Sequence, residues 1–247
     1  MRLIPAHPMP EHAPIPITRL RETGSTNLDA RGRIGSENAP FWIVAQTQTG
    51  GRGRDGRAWS SPPGGLWATL AWPLSSSPPR VLDGLGLRLG VALSETIAGF
   101  CHDARLKWPN DVLVGGEKIA GVLTEVIDAW ALVGCGVNVA NDPPPLPPPA
   151  RATSLAKLLP APPTPDEVLA ALTPRLIAAL TREGIAHDLD RARSLLAGVN
   201  EACVVHSRDG SERRATLEGL DDAGRAVYRD ASGAEFLSDG AVLQEPG

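Results

Sequence analysis

Residues 104–140 read ARLKWPNDVLVGGEKIAGVLTEVIDAWALVGCGVNVA, and four short β-like runs follow one another within them: ARLKW at 104–108, DVLV at 111–114, KIAGVLTEV at 118–126 and WALVGCGVNVA at 130–140. Gly115-Gly116 joins the second run to the third as a two-residue hairpin signal, because both central positions of a type I′ turn need positive φ. A comparably tight Ile127-Asp128-Ala129 turn joins the third to the fourth. Strands linked this closely pair antiparallel, since a parallel crossover needs a much longer connection. The stretch therefore predicts an α+β protein, with an antiparallel or mixed sheet and helices on one side, rather than a regular βαβ repeat.

Upstream, ITRLRE at 17–22, FWIVAQTQ at 41–48 and LWATLAW at 66–72 read as further strands, the last held between Pro62-Pro63-Gly64-Gly65 and Pro73. From Val81 to Phe100 the residues Leu82, Leu85, Leu89, Ala92, Leu93 and Ile97 recur at spacings of three and four, as a helix packed by one face requires. Helical signals return from Asp166 to about Leu196. After Gly198 the runs ACVVHS, RRATLEGL, RAVYRD and AEFLS alternate with turns at Asp209-Gly210, Asp221-Asp222-Ala223-Gly224 and Ser232-Gly233. They read as a small β-barrel at the lower size limit for independent folding, expected to lean on its neighbour. The expected organisation is a Pro-rich segment at 1–16, a catalytic-size domain at 17–197 and the barrel at 198–247.

The 247 residues are 42% hydrophobic, enough for a substantial core, which excludes a wholly disordered chain. A net charge of −4 argues against coating nucleic acid or anionic lipid through bulk charge, so any basic site is local. Cys101, Cys135 and Cys203 form no CxxC pair and leave an odd count, which suits reduced thiols and excludes a readable zinc site. The first twenty residues carry five prolines and no continuous apolar region, and the strongly apolar stretch around 129–140 falls short of the ~18 residues of a spanning helix. The expectation is a cytoplasmic protein with no membrane partner. The opening segment is too short for a separate DNA-binding helical domain, so no DNA partner is expected either.

GRGRDG at 51–56 matches the dinucleotide fingerprint G-x-G-x-x-G, but the context rejects it: Trp59-Ser60-Ser61-Pro62-Pro63 breaks any helix, and no acidic residue follows about twenty positions on. No Lys-Ser/Thr follows the last glycine, so it is not a Walker A loop. What remains is a flexible loop with Arg52, Arg54 and Arg57 among glycines, suited to a phosphate-like anion; a solvated basic turn or an RGG-like tail is the plainer alternative. Trp59 has a π face that stacks on a purine, or it belongs to the core.

Of 24 Lys and Arg residues only three are Lys, at 107, 118 and 157, and two of these flank Asn110 and Asp111 in LKWPNDVLVGGEK. Arg does not imitate the compact charge of an ammonium, so a site that needs one resists the general drift toward Arg. Pro109 breaks the strand and turns Asn110 and Asp111 out of the ladder. Lys118 then offers a point charge to a carboxylate or phosphate and Asp111 an oxygen to a metal or hydroxyl; a cross-strand Asp111–Lys118 salt bridge explains the same residues. Gly134 and Gly136 in VGCGVNV leave room for a close approach to the backbone, or mark a β-bulge, and Asn138 offers a donor and an acceptor to a base edge. Ser25, Thr26 and Asn27 have a plain role as helix caps. PPPLPPP at 143–149 reads as a stiff connector or as an SH3 or WW ligand.

In order and spacing, GSTN at 24–27, QTQTGGRGRDGRAWSSPPGGLW at 46–67, LKWPNDVLV at 106–114, EKIAGVLTE at 117–125 and VGCGVNV at 133–139 resemble the biotin–protein ligases. The resemblance covers most of residues 17–160 and implies a class II synthetase-like catalytic domain; the β-rich tail resembles that family's SH3-like C-terminal domain. It implies two steps: biotin and Mg-ATP form biotinyl-5′-adenylate and pyrophosphate, then a lysine of a biotin carboxyl carrier domain of a biotin-dependent carboxylase attacks the mixed anhydride. By this resemblance Ser25, Thr26, Asn27, Gln48, Gly121 and Gly136 belong to the biotin side. Arg52, Gly53 and Arg54 surround the adenylate and close over biotin. Lys118 lies between the biotin carboxylate and the α-phosphate, and with Arg54 it carries the catalysis. Arg57, Trp59, Lys107, Asn110 and Asn138 fall on the nucleotide side, and Asp111 on the metal side, for Mg2+.

Two residues depart from the pattern: Asp55 stands where relatives often carry a basic residue, and Gly50 replaces a small residue such as Ala. A homodimer is compatible with the resemblance. The alternatives are a lipoate–protein ligase, which shares the fold and the acyl-adenylate logic, and a non-catalytic anion- or RNA-binding module built on the arginine loop.

Overall fold

The computed structural model describes residues 14–78, 80–147, 150–206, 211–238 and 241–244, so most of the Pro-rich opening, Pro148-Pro149 and the Asp209-Gly210 turn lie outside the described residues. Seven strands form the larger sheet: β1 (Ile17–Thr23), β2 (Phe41–Gln48), β3 (Leu66–Pro73), β4 (Ala104–Lys107), β5 (Asp111–Val114), β6 (Glu117–Ile127) and β7 (Trp130–Val137). Their order is β1-β2-β3-β7-β6-β5-β4. The sheet is mixed because β1 and β2, joined through helix α1 (Thr26–Arg33), pair parallel while their neighbours pair antiparallel. Gly115 and Gly116 adopt φ of 58° and 79°, as the hairpin between β5 and β6 demands. Asp128 and Ala129 do the same work between β6 and β7, where Ile127 faces Trp130.

Alternation along the strands separates two faces. On one, Trp42, Val44, Leu70, Trp72, Val122 and Val133 pack against helix α2 (Leu85–Ala98) and, beyond a four-residue helix α3 (Leu155–Leu158), helix α4 (Pro165–Thr181). On the other, Phe41, Ile43, Ala71 and Leu132 pack against Ala30 and Ile34 at α1. Helices thus lie on both faces, which corrects the expectation of helices on one side. The cause is the composition of α1, whose buried residues are Thr26, Asn27 and Ala30, so it has no apolar stripe to announce that it covers a sheet. Because α1 is short, the β5–β6–β7 part of that face is left without a helix and forms the floor of a cleft.

The second sheet contains β8 (Ala202–His206), β9 (Glu212–Leu220), β10 (Ala226–Asp230), β11 (Glu235–Ser238) and β12 (Ala241–Gln244), in the order β11-β10-β9-β8-β12, all antiparallel. Its inner residues Cys203, Val205, Leu217 and Tyr228 share one core with Leu87 and Val91 of α2 and with Leu189, Ala192 and Leu195 of helix α5 (Ala186–Leu195). The sheet leans on its neighbour, as a unit with so few apolar residues must. A further tie joins it to the end of the larger sheet, Trp108 Nε1 donating to the Gly224 carbonyl at 3.0 Å, and the connection leading into it is held by the Ala197 N–H, which donates to the Leu106 carbonyl at 2.9 Å.

One charged group sits inside this assembly. Arg88 of α2 is 1% exposed and donates to the carbonyls of Val81, Ala179 and Arg182 and to Asp188 Oδ2. It stitches α2 to the ends of α4 and α5. Among the described residues no helix is long and apolar enough to cross a membrane.

Candidate active site

The cleft encloses about 900 Å3, and every site residue expected from the sequence lines it: Ser25, Thr26, Asn27, Gln48, Arg52, Gly53, Arg54, Arg57, Trp59, Lys107, Asn110, Asp111, Lys118, Gly121, Gly136 and Asn138. They come from the start of α1, the end of β2, the loop before β3 and the β4–β7 meander.

Ser25 is the N-cap residue of α1 by backbone conformation, yet its side chain makes no capping hydrogen bond, and Thr26 and Asn27 are already helical. The plain capping role is therefore not the one these side chains fill. Instead, Thr26 N–H donates to Gln48 Oε1 at 2.9 Å, and Gln48 Nε2 donates to Ser61 Oγ at 2.8 Å. All three residues at the head of α1 are buried.

The arginine loop folds back on itself. Gln48 bridges Ser61 and Arg52 bridges Ala58, the Gly53 N–H donates to the Arg57 carbonyl at 2.7 Å, and a single 3₁₀ turn at Arg54–Gly56 closes the tip. It is a narrow hairpin with its own hydrogen bonds rather than a slack tail. Among the described residues Arg52, Arg54 and Arg57 have no carboxylate partner, so three guanidinium groups stand at the cleft without neutralisation. The side chain of Asp55 lies outside the described residues.

Opposite them are the two ammonium groups. Burial pushes Lys107 below its ordinary value; Asp111 opposes the shift, while the positive charges of Lys118 and Arg57 add to it. Lys118 Nζ lies 2.6 Å from Asp111 Oδ2 and 4.8 Å above the Trp59 ring. The cross-strand salt bridge is real, and so is the position of the ammonium on the cleft wall. Both side chains of this pair are 25% exposed, so its ammonium stays reachable from the cleft and an incoming carboxylate or phosphate competes with Asp111 for it.

The glycines on the floor explain Trp59. Gly121 pairs with Gly136 in an unbroken β6–β7 ladder, so the bulge offered as an explanation for the glycines is absent. A Cβ on Gly136 would come within 2.6 Å of the Trp59 indole and one on Gly121 within 3.2 Å. The indole therefore lies on bare backbone. Its Nε1 is buried without a hydrogen-bond partner among the described residues, a donor left for an acceptor on a ligand.

Two expected nucleotide contacts are less available. Asn138 Nδ2 donates to the Thr153 carbonyl at 3.0 Å and its Oδ1 accepts from Asn141 Nδ2 at 3.0 Å, so both arms tie the chain beyond β7 together instead of pointing free at a base edge. The Asn110 amide donates to the Val122 carbonyl. Among the described residues Asp111 is the sole carboxylate lining the cleft, and no group of three His, Cys, Asp or Glu among them could hold a metal by itself.

Sequence reasoning missed part of the wall. Pro143, Pro144, Leu146 and Pro147 line the cleft, after which the chain returns beside Lys118, whose N–H donates to the Arg151 carbonyl at 2.8 Å. The described part of PPPLPPP is thus a stiff connector within the catalytic unit. Its place directly after Asn138 was the available signal.

Comparison with known proteins agrees with this geometry. The sequence pattern of the biotin/lipoate A/B protein ligase family matches residues 17–139. A biotin–[acetyl-CoA-carboxylase] ligase of Mycobacterium tuberculosis is 32% identical over 240 residues, covering 90% of this chain and 86% of that protein. Its counterpart in Paracoccus denitrificans is 30% identical over 243 residues, covering 91% of this chain and 98% of that one. A structure of the Aquifex aeolicus biotin protein ligase in complex with biotin and ATP superposes with a TM-score of 0.80 at 28% identity, covering 93% of this chain and 99% of that one. With likeness over nearly the full length in sequence and in fold, the chain belongs to the biotin/lipoate A/B protein ligase family, on the side of its biotin–protein ligases.

Proposed function

We propose that this chain activates biotin with ATP and transfers it to a lysine of the biotin carboxyl carrier domain of a carboxylase. The observation that carries the reading is the meeting, in one cleft, of a neutral hydrogen-bonding compartment (Ser25, Thr26, Gln48) with five cations (Arg52, Arg54, Arg57, Lys107, Lys118). An uncharged polar head group with a carboxylate tail fits the first, and a triphosphate fits the second.

In the first step a biotin carboxylate oxygen bonds to the α-phosphorus while the bond from that phosphorus to the pyrophosphate oxygen breaks. Lys118 touches both reacting groups and offsets the negative charge that gathers between them. Lys107, Arg52 and Arg57 hold the phosphates, and Arg54 with Gly53 covers the adenylate. Trp59 separates the two halves and offers its indole N–H. In the second step the acceptor amine attacks the acyl carbon, AMP leaves and the amine gives up its proton.

Asn110 and Asn138 act as positioning residues through the backbone they hold. Asp111 would offer one carboxylate oxygen to a magnesium ion accompanying the phosphates, and such an ion would supply neutralisation of their charge. Residues 17–197 form the catalytic unit and 198–247 an SH3-like barrel that props the Trp108 side of the cleft. The buried thiols of Cys101, Cys135 and Cys203 suit work in a reducing cytoplasm.

Lipoate–protein ligation is the second reading, favoured by the family's breadth alone. Incubating the protein with ATP, an acceptor carrier domain and either acid distinguishes them: mass gain with biotin and not with lipoic acid is expected, and the reverse overturns the biotin assignment. Arg54→Ala is expected to raise escape of biotinyl-adenylate by about tenfold, since one charge-assisted contact is lost from the cover over it. A single-turnover release assay reads this directly, and unchanged retention removes the covering role from Arg54.

A further inference from the structure

Trp108 faces two ways: it lines the cleft, and it packs against the core of the second sheet. Its Nε1 donates to the Gly224 carbonyl at 3.0 Å. Gly224 sits in the turn between β9 and β10, and that turn is stiff from within. Asp221 Oδ1 accepts from the N–H groups of Ala223 and Arg225, and the Gly224 N–H donates to the Asp221 carbonyl at 3.0 Å. From outside, Asp222 pairs with Arg193 of α5 at 2.9 Å. Gly224 has a φ of 76°, and a Cβ there would come within 2.2 Å of Ile185 Cδ1 and 2.8 Å of Leu87 Cδ2. Bare backbone is what lets the turn nest between α2 and the start of α5 and bring its carbonyl to the indole.

The neighbours of Trp108 in the chain belong to the phosphate corner of the cleft. Lys107 stands opposite Asp111 across β4 and β5, and Asp111 holds Lys118 at 2.6 Å. The far side of the β4–β5 connection is tied to β6, where the Val122 N–H donates to the Asn110 carbonyl at 3.0 Å. Its near side is tied through Trp108 to Gly224. Lys107 and Trp108 also border a small cavity of about 20 Å3 together with Cys203, Leu217 and Tyr228, inner residues of the second sheet. Among the described residues that line the main cleft, none belongs to the second sheet, so its influence on the site passes through this corner. The biotin compartment of Ser25, Thr26 and Gln48 is built from α1 and β2 at the other end.

We propose that Gly224 is a positioning residue for the phosphate half of the site: through Trp108 it sets where Lys107 and Asp111 stand, so the second sheet governs the use of ATP and leaves the binding of biotin alone. Placement is exacting here, since a displacement of about 1 Å at groups that orient reactants can cost about 10²-fold in rate. The inference rests on the biotin–ATP reading and deepens it.

Trp108→Phe keeps an aromatic ring and removes the Nε1 donor, while Gly224→Ala displaces the carbonyl that receives it. The second-order rate constant for ATP in a single turnover of adenylate formation, read as pyrophosphate release, is compared with biotin affinity for both variants, for the double variant and for Val205→Ala. The last loosens the inner face of the second sheet at a residue that borders neither Trp108 nor the small cavity. Trp108→Phe and Gly224→Ala are each expected to lower the rate constant for ATP about tenfold, the scale of one hydrogen bond, with biotin affinity within about twofold of the wild type. The double variant is expected to lose little more than either alone, because both changes break the same contact. Val205→Ala is expected to lower the denaturant midpoint and leave the use of ATP as it was. If Gly224→Ala does not fold, Trp108→Phe set against Val205→Ala decides the matter. An unaltered rate constant in Trp108→Phe, a matching fall in biotin affinity, losses that multiply in the double variant, or an equal fall in Val205→Ala overturns the positioning role. A wild-type chain that releases no pyrophosphate in response to biotin instead overturns the biotin reading and takes this inference with it.

Discussion

Lys118→Ala is expected to slow adenylate formation by roughly 10²–10³ while leaving ATP binding within about threefold, because the ammonium acts on charge that gathers only as the carboxylate meets the α-phosphate. The position supports a large effect. Lys118 opens β6 beside the cleft, is held by Asp111 at 2.6 Å and overlies Trp59 at 4.8 Å, so its head is placed before any ligand enters. Removing it also leaves the Asp111 carboxylate facing the phosphates without its counter-charge. Lys118→Arg is expected to restore only part of the rate, since a planar guanidinium does not reproduce a compact ammonium between two anions. Single-turnover adenylate formation set against ATP affinity reads both quantities. Equal losses in the two would mean that Lys118 contributes uniform binding rather than charge stabilisation in the reacting complex.

The second large effect concerns folding. Arg88→Met is expected to destabilise the protein by about 3–5 kcal/mol, the usual cost of removing one partner from a buried, hydrogen-bonded ion pair. The carbonyls of Val81, Ala179 and Arg182 lose a donor, while among the described residues Asp188 keeps Arg182 as its one cation, at 3.2 Å. Because α2 and α5 carry the core shared with the second sheet, the loss is expected first in the amides of β8 to β10. Denaturant unfolding with an unchanged slope checks the magnitude, and hydrogen exchange checks the location. A loss below about 1 kcal/mol would show that apolar packing at α2 compensates for the missing guanidinium.

Where a residue's role follows from near neighbours, the sequence reveals it. The β5–β6 hairpin is legible because Gly115-Gly116 meets a turn that needs positive φ, and β2 because Phe41 to Ala45 form a short continuous apolar run of the kind a strand buried on both faces shows. Helix α1 is not legible as a sheet-covering element, since Thr26, Asn27 and Ala30 reach the interior without an apolar stripe. Strand β12 is four residues long, too short to show a pattern of its own.

The site divides in the same way. Lys118 stands out because lysine is scarce, and the arginine loop because its glycines lack a helix. Thr69 and Glu125, side-chain hydrogen-bond partners of Asn27, by contrast sit 42 and 98 residues from it, and only the register of β3, β7 and β6 brings them under α1. Asn138 shows the converse limit: its amide chemistry suggests a base contact, but local folding gives both arms to Thr153 and Asn141.

The meeting of an acid and a nucleotide in one cleft is tested most directly by pyrophosphate release from ATP, measured with and without biotin and before any acceptor protein is added. Release that appears only with biotin, ceases after about one equivalent as the adenylate is retained, and nearly vanishes in Lys118→Ala is the expected result. Release indifferent to biotin, or none from a folded chain given both compounds, would contradict it.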